Sequence, residues 1–203
     1  MMLIHPGLVV FPGRLDRREQ EDLAGVIADT IEAAPLFTPR MPRTGKLFSV
    51  RMTNCGGLGW VSDASGYRYQ PLHPETGRPW PAIPVALLAL WEEVSGYPAP
   101  PEACLVNVYG GGARMGLHQD RDEENLAAPV VSVSLGATCL FRVGGTQRGG
   151  PTRSFRLSSG DVVVLGGESR LAFHGVDRVL EGTSTLLPDG GRINLTLRRV
   201  TKA

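Results

Sequence analysis

Cysteine is scarce: Cys55, Cys104 and Cys139 are the only three, and they are scattered along the chain. That is too few for a disulfide framework or a thiolate zinc site, and it fits a reducing compartment. No stretch is long and apolar enough to span a bilayer, so no membrane association is expected. The opening residues 1–13 have no basic leader, and Pro6 and Pro12 break their apolar run, which argues against a secretory signal and for a cytoplasmic protein. An excess of one charge is also missing. Lys and Arg total 21 against 20 Asp and Glu, a net charge of +1, so no overall field gathers polyanions and any nucleic-acid contact must rest on a local patch. Arg40, Arg43, Lys46 and Arg51 form one such cluster with no acid among them, although most clusters of this size are merely solvated surface. Histidine is rare too. Of four, His5 and His73 sit beside prolines in stretches that read as loops, which leaves His118 and His174 as the candidates for chemistry.

What is present suffices for one sizeable core: 203 residues, 42% of them hydrophobic, with no internal repeat. An N-terminal extension, residues 1–101, is expected to pack on a core of residues 102–203. Residues 8–11 read as a short strand. Asp16 and Glu19 have the spacing of a capping box ahead of Leu23, Val26, Ile27 and Ile31, which recur at helical spacing until Pro35. Residues 39–81 turn to Gly, Pro, Ser and aromatics, with strands expected at 47–52 and 66–69. A second helix begins at Pro84, with Val85, Leu88, Trp91 and Val94 on one face and Gly96 as its cap. After Pro101 short strands rich in Val, Leu and Thr follow at 104–109, 130–135, 139–143, 154–157, 161–165 and 193–200, with no helical pattern between them. That spacing indicates an antiparallel sandwich or jelly-roll barrel.

His118 and Asp120 are two residues apart, so on extended chain their side chains share a face and could hold one ion, with His174 as a natural third ligand. Two imidazoles and one carboxylate leave open positions opposite, as in non-haem Fe(II) oxygenases. By itself a His-x-Asp pattern is short enough to arise by chance. In the last strand Arg192, Asn194, Thr196 and Arg198 alternate with Ile193, Leu195 and Leu197. The two arginines are suited to bidentate carboxylate binding, or they form the solvated side of an edge strand. Asn107 and Tyr109 share a strand face and could join the arginines around an acidic co-substrate, or be a satisfied buried amide and a half-buried tyrosine.

Ten ordered blocks then carry a resemblance. They include Met52-Thr53-Asn54-Cys55-Gly56, Leu58-Gly59-Trp60, Gly77-Arg78-Pro79-Trp80-Pro81, Asn107-x-Tyr109 and Leu117-His118-Gln119-Asp120-x-Asp122-Glu123. The later ones run from Ala128 to Gly136, Gly160 to Val164, Gly166 to Leu171, Phe173-His174-Gly175 and Arg192-x-Asn194-Leu195-Thr196-x-Arg198. Over residues 48–198 the chain resembles the bacterial AlkB-type DNA-repair dioxygenases. The resemblance implies a mostly β fold, a double-stranded β-helix (jelly-roll) core with flanking helices. It implies Fe(II), with 2-oxoglutarate and O2 as co-substrates, and oxidative demethylation of 1-methyladenine and 3-methylcytosine with release of formaldehyde, succinate and CO2. By position, His118, Asp120 and His174 would bind iron. Asn107, Tyr109, Arg192, Asn194 and Arg198 would surround 2-oxoglutarate, while Trp60, Tyr67, Tyr69, Asp122 and Arg148 would line the base pocket. Asp122, in an acidic run, would otherwise read as a solvated acid. The resemblance departs at residues 42–47, where the family's lid is more polar and carries tyrosine. The expected partner is single-stranded or base-flipped alkylated DNA, or RNA, met by a monomer. Two alternatives are a related dioxygenase acting on methylated RNA or protein, and a non-catalytic metal-binding cupin-like module, against which the arginine pair weighs.

Overall fold

A computed structural model describes residues 1–202. In chain order the elements are β1 (Met2–His5), β2 (Leu8–Phe11), α1 (Arg17–Ala33), β3 (Arg51–Gly56), β4 (Gly59–Asp63), β5 (Gly66–Gln70) and α2 (Val85–Val94). There follow β6 (Ala103–Tyr109), β7 (Met115–His118), β8 (Val130–Gly136), β9 (Cys139–Gly144), β10 (Thr152–Leu157), β11 (Val162–Leu165), β12 (His174–Val179) and β13 (Arg192–Arg198). A seven-stranded sheet, β1-β2-β11-β8-β13-β6-β3, faces a four-stranded one, β10-β9-β12-β7, and β4-β5 is a separate hairpin. All pairings are antiparallel, giving the jelly roll expected from the sequence. No helix among the described residues is long and apolar enough to cross a membrane.

The two-residue period of the strands sorts side chains into layers. Val131, Val133 and Leu135 of β8 and Ile193, Leu195 and Leu197 of β13 pack against Leu23 and Ile27 of α1 and Leu87, Leu90 and Trp91 of α2. The opposite faces of the same strands turn toward the four-stranded sheet, where Val10, Phe141, Val163 and Val176 form a second apolar cluster. Arg192, Asn194, Thr196 and Arg198 therefore point into the space between sheets. β13 pairs with β8 on one side and β6 on the other, so the edge-strand reading of its polar face does not hold.

The first helix begins where local chemistry says. Asp16 accepts from the Glu19 amide at 2.8 Å, and Glu19 accepts from the Asp16 amide at 2.7 Å, the reciprocal capping box. In α2 the buried stripe is Leu87, Leu90 and Trp91 rather than one through Val85, which is exposed. Steps of three and four residues keep a stripe on one helix face, whereas three successive steps of three drift around it. Gly96, at φ +62°, follows the C-cap as expected.

Between residues 39 and 81 the strand falls at Arg51–Gly56 rather than 47–52, and Leu47 makes only an isolated bridge to Arg40. β7 and β12 were not foreseen, and Gly175 explains why. A Cβ there would lie 2.5 Å from the Met115 carbonyl oxygen and 2.8 Å from that of Gly116. Glycine, a poor strand former, is what lets these two strands close on each other. Gly175→Ala should force β7 and β12 apart and cost about 1–3 kcal/mol of stability, the usual range for overpacking. Urea unfolding measures this, and an unchanged midpoint would mean the approach tolerates a methyl group.

Candidate metal centre and its cavity

β7 ends in His118 and β12 begins with His174, and the register sets the two directly opposite, ring centroids 4.6 Å apart. Asp120 lies two residues beyond β7. Its Oδ1 is 3.6 Å from His118 Nε2 and its Oδ2 is 3.7 Å from His174 Nε2. Each imidazole has its Nδ1 against a backbone carbonyl, Gly116 at 2.9 Å and Ala172 at 3.0 Å. A carbonyl can only accept, so Nδ1 of each ring is a donor and Nε2 is the atom turned toward Asp120. One ligand atom from each residue lies within 4.8 Å of the others, and Asp120 Oδ2 is buried with no hydrogen-bond donor. Two imidazoles and a carboxylate with an unmet oxygen form a donor set suited to Fe(II).

The electrostatics keep the ligands in their metal-binding forms. Burial, then the neighbouring His118, lowers the His174 pKa to about 4, so its ring is neutral at pH 7. Burial alone would raise that of Asp120, but Arg198 and the two histidines together hold it well below the usual carboxylate range. Arg198 reaches Asp120 Oδ1 at 2.8 Å. It also lies 3.4 Å from Glu123 and donates to the Tyr69 hydroxyl at 3.1 Å, while that hydroxyl donates to Glu123. Burial raises the Tyr69 pKa, which keeps it a donor. On the other side Glu123 meets Arg170 at 3.0 Å.

His118, Asp120 and His174 open onto one cavity of about 570 Å³ that also takes in Asn107, Tyr109, Arg192, Asn194 and Arg198. Asn107 Oδ1 is buried without a donor, so it is not a satisfied core amide, and Tyr109 is buried rather than half-buried. Arg192 is 1% exposed, with its Nε unpartnered and one Nη donating to Ser134 Oγ at 2.7 Å. Asn194 donates to Ser132 Oγ and the Val133 carbonyl. Trp60, Tyr67, Asp122 and Arg148 line the same cavity. Trp60 stacks on Tyr67 at 5.7 Å, and its indole N–H donates to Asp122 Oδ2 at 2.9 Å, so Asp122 is anchored rather than simply solvated. Arg148 lies 5.1 Å over the Phe173 ring. Tyr69 stands behind this wall, engaged with Glu123 and Arg198.

Several contributors escaped the sequence reading. Met41 and Phe48 bring apolar surface to the cavity from the loop that also holds the exposed Arg40, Arg43 and Lys46. Glu123 and Arg170 are buried, yet nothing in Asp120-Arg121-Asp122-Glu123-Glu124 separates a buried acid from a solvated one.

A jelly roll with a His-Asp-His cluster beside buried arginines defines a class. The family model described as the 2OG-Fe(II) oxygenase superfamily matches residues 7–198, and the chain is an oxygenase of that superfamily. It is 56% identical over 202 residues to the alpha-ketoglutarate-dependent dioxygenase AlkB homolog of Caulobacter vibrioides, covering 100% of this chain and 91% of that protein. It is 45% identical over 186 residues to alpha-ketoglutarate-dependent dioxygenase AlkB of Escherichia coli, covering 90% and 85%. The solved structure of OsALKBH1 matches with a TM-score of 0.84 at 30% identity, over 98% of this chain and 100% of that one. The chain belongs to the AlkB family of alpha-ketoglutarate-dependent dioxygenases.

The Glu123 contacts generate a prediction. Glu123→Gln leaves two buried guanidinium groups facing a neutral amide, and breaking a buried pair costs about 3–5 kcal/mol. Chemical denaturation of the metal-free protein should show a loss of this size. A loss within about 0.5 kcal/mol, as for an ordinary surface substitution, would place Glu123 in effective contact with solvent.

Proposed function

We propose that this chain is an Fe(II)/2-oxoglutarate-dependent dioxygenase that repairs alkylated nucleic acid by oxidative demethylation of 1-methyladenine and 3-methylcytosine. The observation that carries the reading is that the unmet atoms of Asp120, Asn107 and Arg192 belong to residues lining one cavity with His118 and His174. His118, Asp120 and His174 would hold Fe(II). Arg192 has an unpartnered Nε for a carboxylate, and Asn107, Tyr109, Asn194 and Arg198 would complete the surroundings of 2-oxoglutarate. Iron and 2-oxoglutarate with O2 supply the oxidation of the methyl group, which leaves as formaldehyde beside succinate and CO2.

The protein's own residues bind, orient and exclude water. A methylated base must be flipped out or single stranded to enter. Trp60 and Tyr67 offer it aromatic faces, Asp122 a carboxylate and Arg148 a cation for the phosphate backbone, while Tyr69 supports the pocket from behind. Residues 1–101 would serve as the extension and nucleotide-recognition lid on the catalytic core of residues 102–203, acting as a monomer in the cytoplasm.

The test is release of formaldehyde and succinate with a 1-methyladenine DNA oligonucleotide, a methylated RNA and no nucleic acid. Methylated DNA should drive both products. Asp120→Ala, which removes one of three ligands, should abolish them and weaken Mn(II) binding, measured calorimetrically, by at least about a hundredfold. Succinate release indifferent to nucleic acid would point to another substrate, and none at all to a module that only binds metal.

Charge should decide which adducts are preferred. Methylation at N1 of adenine or N3 of cytosine makes the base a cation, whereas etheno and N3-methylthymine adducts are neutral. A carboxylate beside the base and aromatic faces against it both favour the cation, the aromatic part by about 0.5–2 kcal/mol. Asp122→Asn retains an oxygen to accept from Trp60 and removes only the charge. It should lower kcat/KM for the cationic bases far more than for neutral ones. An equal loss on both would mean Asp122 does not sense charge.

A further inference from the structure

Residues 119–129, which carry Asp120, form no strand or helix, so no ladder of backbone hydrogen bonds sets where that carboxylate stands. One buried side chain from elsewhere holds this loop at three points. Arg170 donates from Nε to the Ala128 carbonyl at 2.7 Å, from Nη1 to the Asp120 carbonyl at 2.6 Å and from Nη2 to Glu123 Oε2 at 3.0 Å. It is 4% exposed and does not line the cavity.

Arg170 also belongs to the turn that aims the other half of the cluster. Its amide donates to the Gly167 carbonyl at 3.1 Å and that of Ala172 to Ser169 at 3.0 Å, and the Ala172 carbonyl accepts from His174 Nδ1. Gln119, next to Asp120, adds a second tie, donating to the Leu171 carbonyl at 2.6 Å. The segment bearing Asp120 and the segment leading to His174 are thus joined by side-chain hydrogen bonds centred on Arg170.

We propose that Arg170 is a positioning residue that fixes Asp120 relative to His174 and thereby sets the geometry of the metal ligands, touching neither metal nor substrate. This rests on the reading of His118, Asp120 and His174 as a metal site. Only a planar fork with donors on three nitrogens meets acceptors at residues 120, 123 and 128 together. A lysine ammonium keeps the charge opposite Glu123 but cannot span all three.

Co(II) titration of the metal-free protein, followed by visible absorption, tests this with Tm of the metal-free protein recorded alongside. Arg170→Lys should bind Co(II) about ten- to a hundredfold more weakly with altered band intensities, as when the groups supporting metal ligands are changed, while the metal-free protein still folds, its Tm lowered by only a few degrees for the carbonyl contacts given up. More 2-oxoglutarate should be consumed per formaldehyde released. Arg170→Met should show the same Co(II) effects more strongly, and if it does not fold, the lysine variant decides. Wild-type Co(II) affinity and bands in Arg170→Lys overturn the inference, as does a lowered Tm with an unaltered spectrum. Failure of the wild type to bind Co(II) would instead remove the metal reading itself.

Discussion

The constraint on which the structure turns is the burial of two guanidinium groups, Arg192 and Arg198, on one face of a central strand. Placing a cation between two sheets is costly unless charge and hydrogen bonds compensate it. Arg198 is compensated within the chain, by Asp120, Glu123 and the Tyr69 hydroxyl. Arg192 is not. Its contacts are a serine hydroxyl and two backbone carbonyls, with no carboxylate within salt-bridge distance among the described residues. A guanidinium buried in this way suits an anion, and under the proposed function a carboxylate of 2-oxoglutarate would supply the missing charge. The sequence treats the two arginines as equivalent members of one alternating face, but their surroundings divide them. One is paired with Asp120 and Glu123, and the other keeps an unpartnered Nε with no carboxylate beside it.

How far the chain could be read without coordinates follows from which interactions are local. The capping box at Asp16 and Glu19 and the glycine after α2 were legible because both ends of each interaction lie within a few residues. The alternation along residues 192–198 was legible as two faces. Which face is inward was not, because that depends on β13 lying between β8 and β6, strands far apart in sequence. β12 is hidden by Gly175, the glycine that lets it approach β7. The His-x-Asp pair and the second histidine stood out through the rarity of histidine, whereas Glu123 and Arg170 are common residue types whose burial is decided by contacts 47 residues apart.

The same network ties recognition to chemistry. Tyr69 is on the β4-β5 hairpin, which pairs with neither large sheet, yet its hydroxyl joins Glu123 and Arg198 beneath the metal ligands. Trp60, on the partner strand, is fixed by Asp122, two residues beyond Asp120. The hairpin is thus bonded twice to the loop that carries the carboxylate ligand. Moving the hairpin would strain contacts that also position Asp120, so the hairpin and the His118, Asp120 and His174 cluster are mechanically one unit.

Under the proposed function, electrostatics would favour selectivity within that unit over selectivity on the surface. With a net charge of +1 the protein has little long-range attraction for a polyanion, and exposed charges are screened over about 8–10 Å at ordinary salt. Arg40, Arg43 and Lys46 are exposed on the loop whose Met41 and Phe48 line the cavity, and Arg121 and Arg148 line it as well. Cations so placed act on phosphates only once a strand is already at the opening. Under the proposed function they would hold the backbone without reading the base, since phosphate contacts position and do not specify. Under the proposed function, discrimination would fall to Trp60, Tyr67 and Asp122, which line the cavity beside His118.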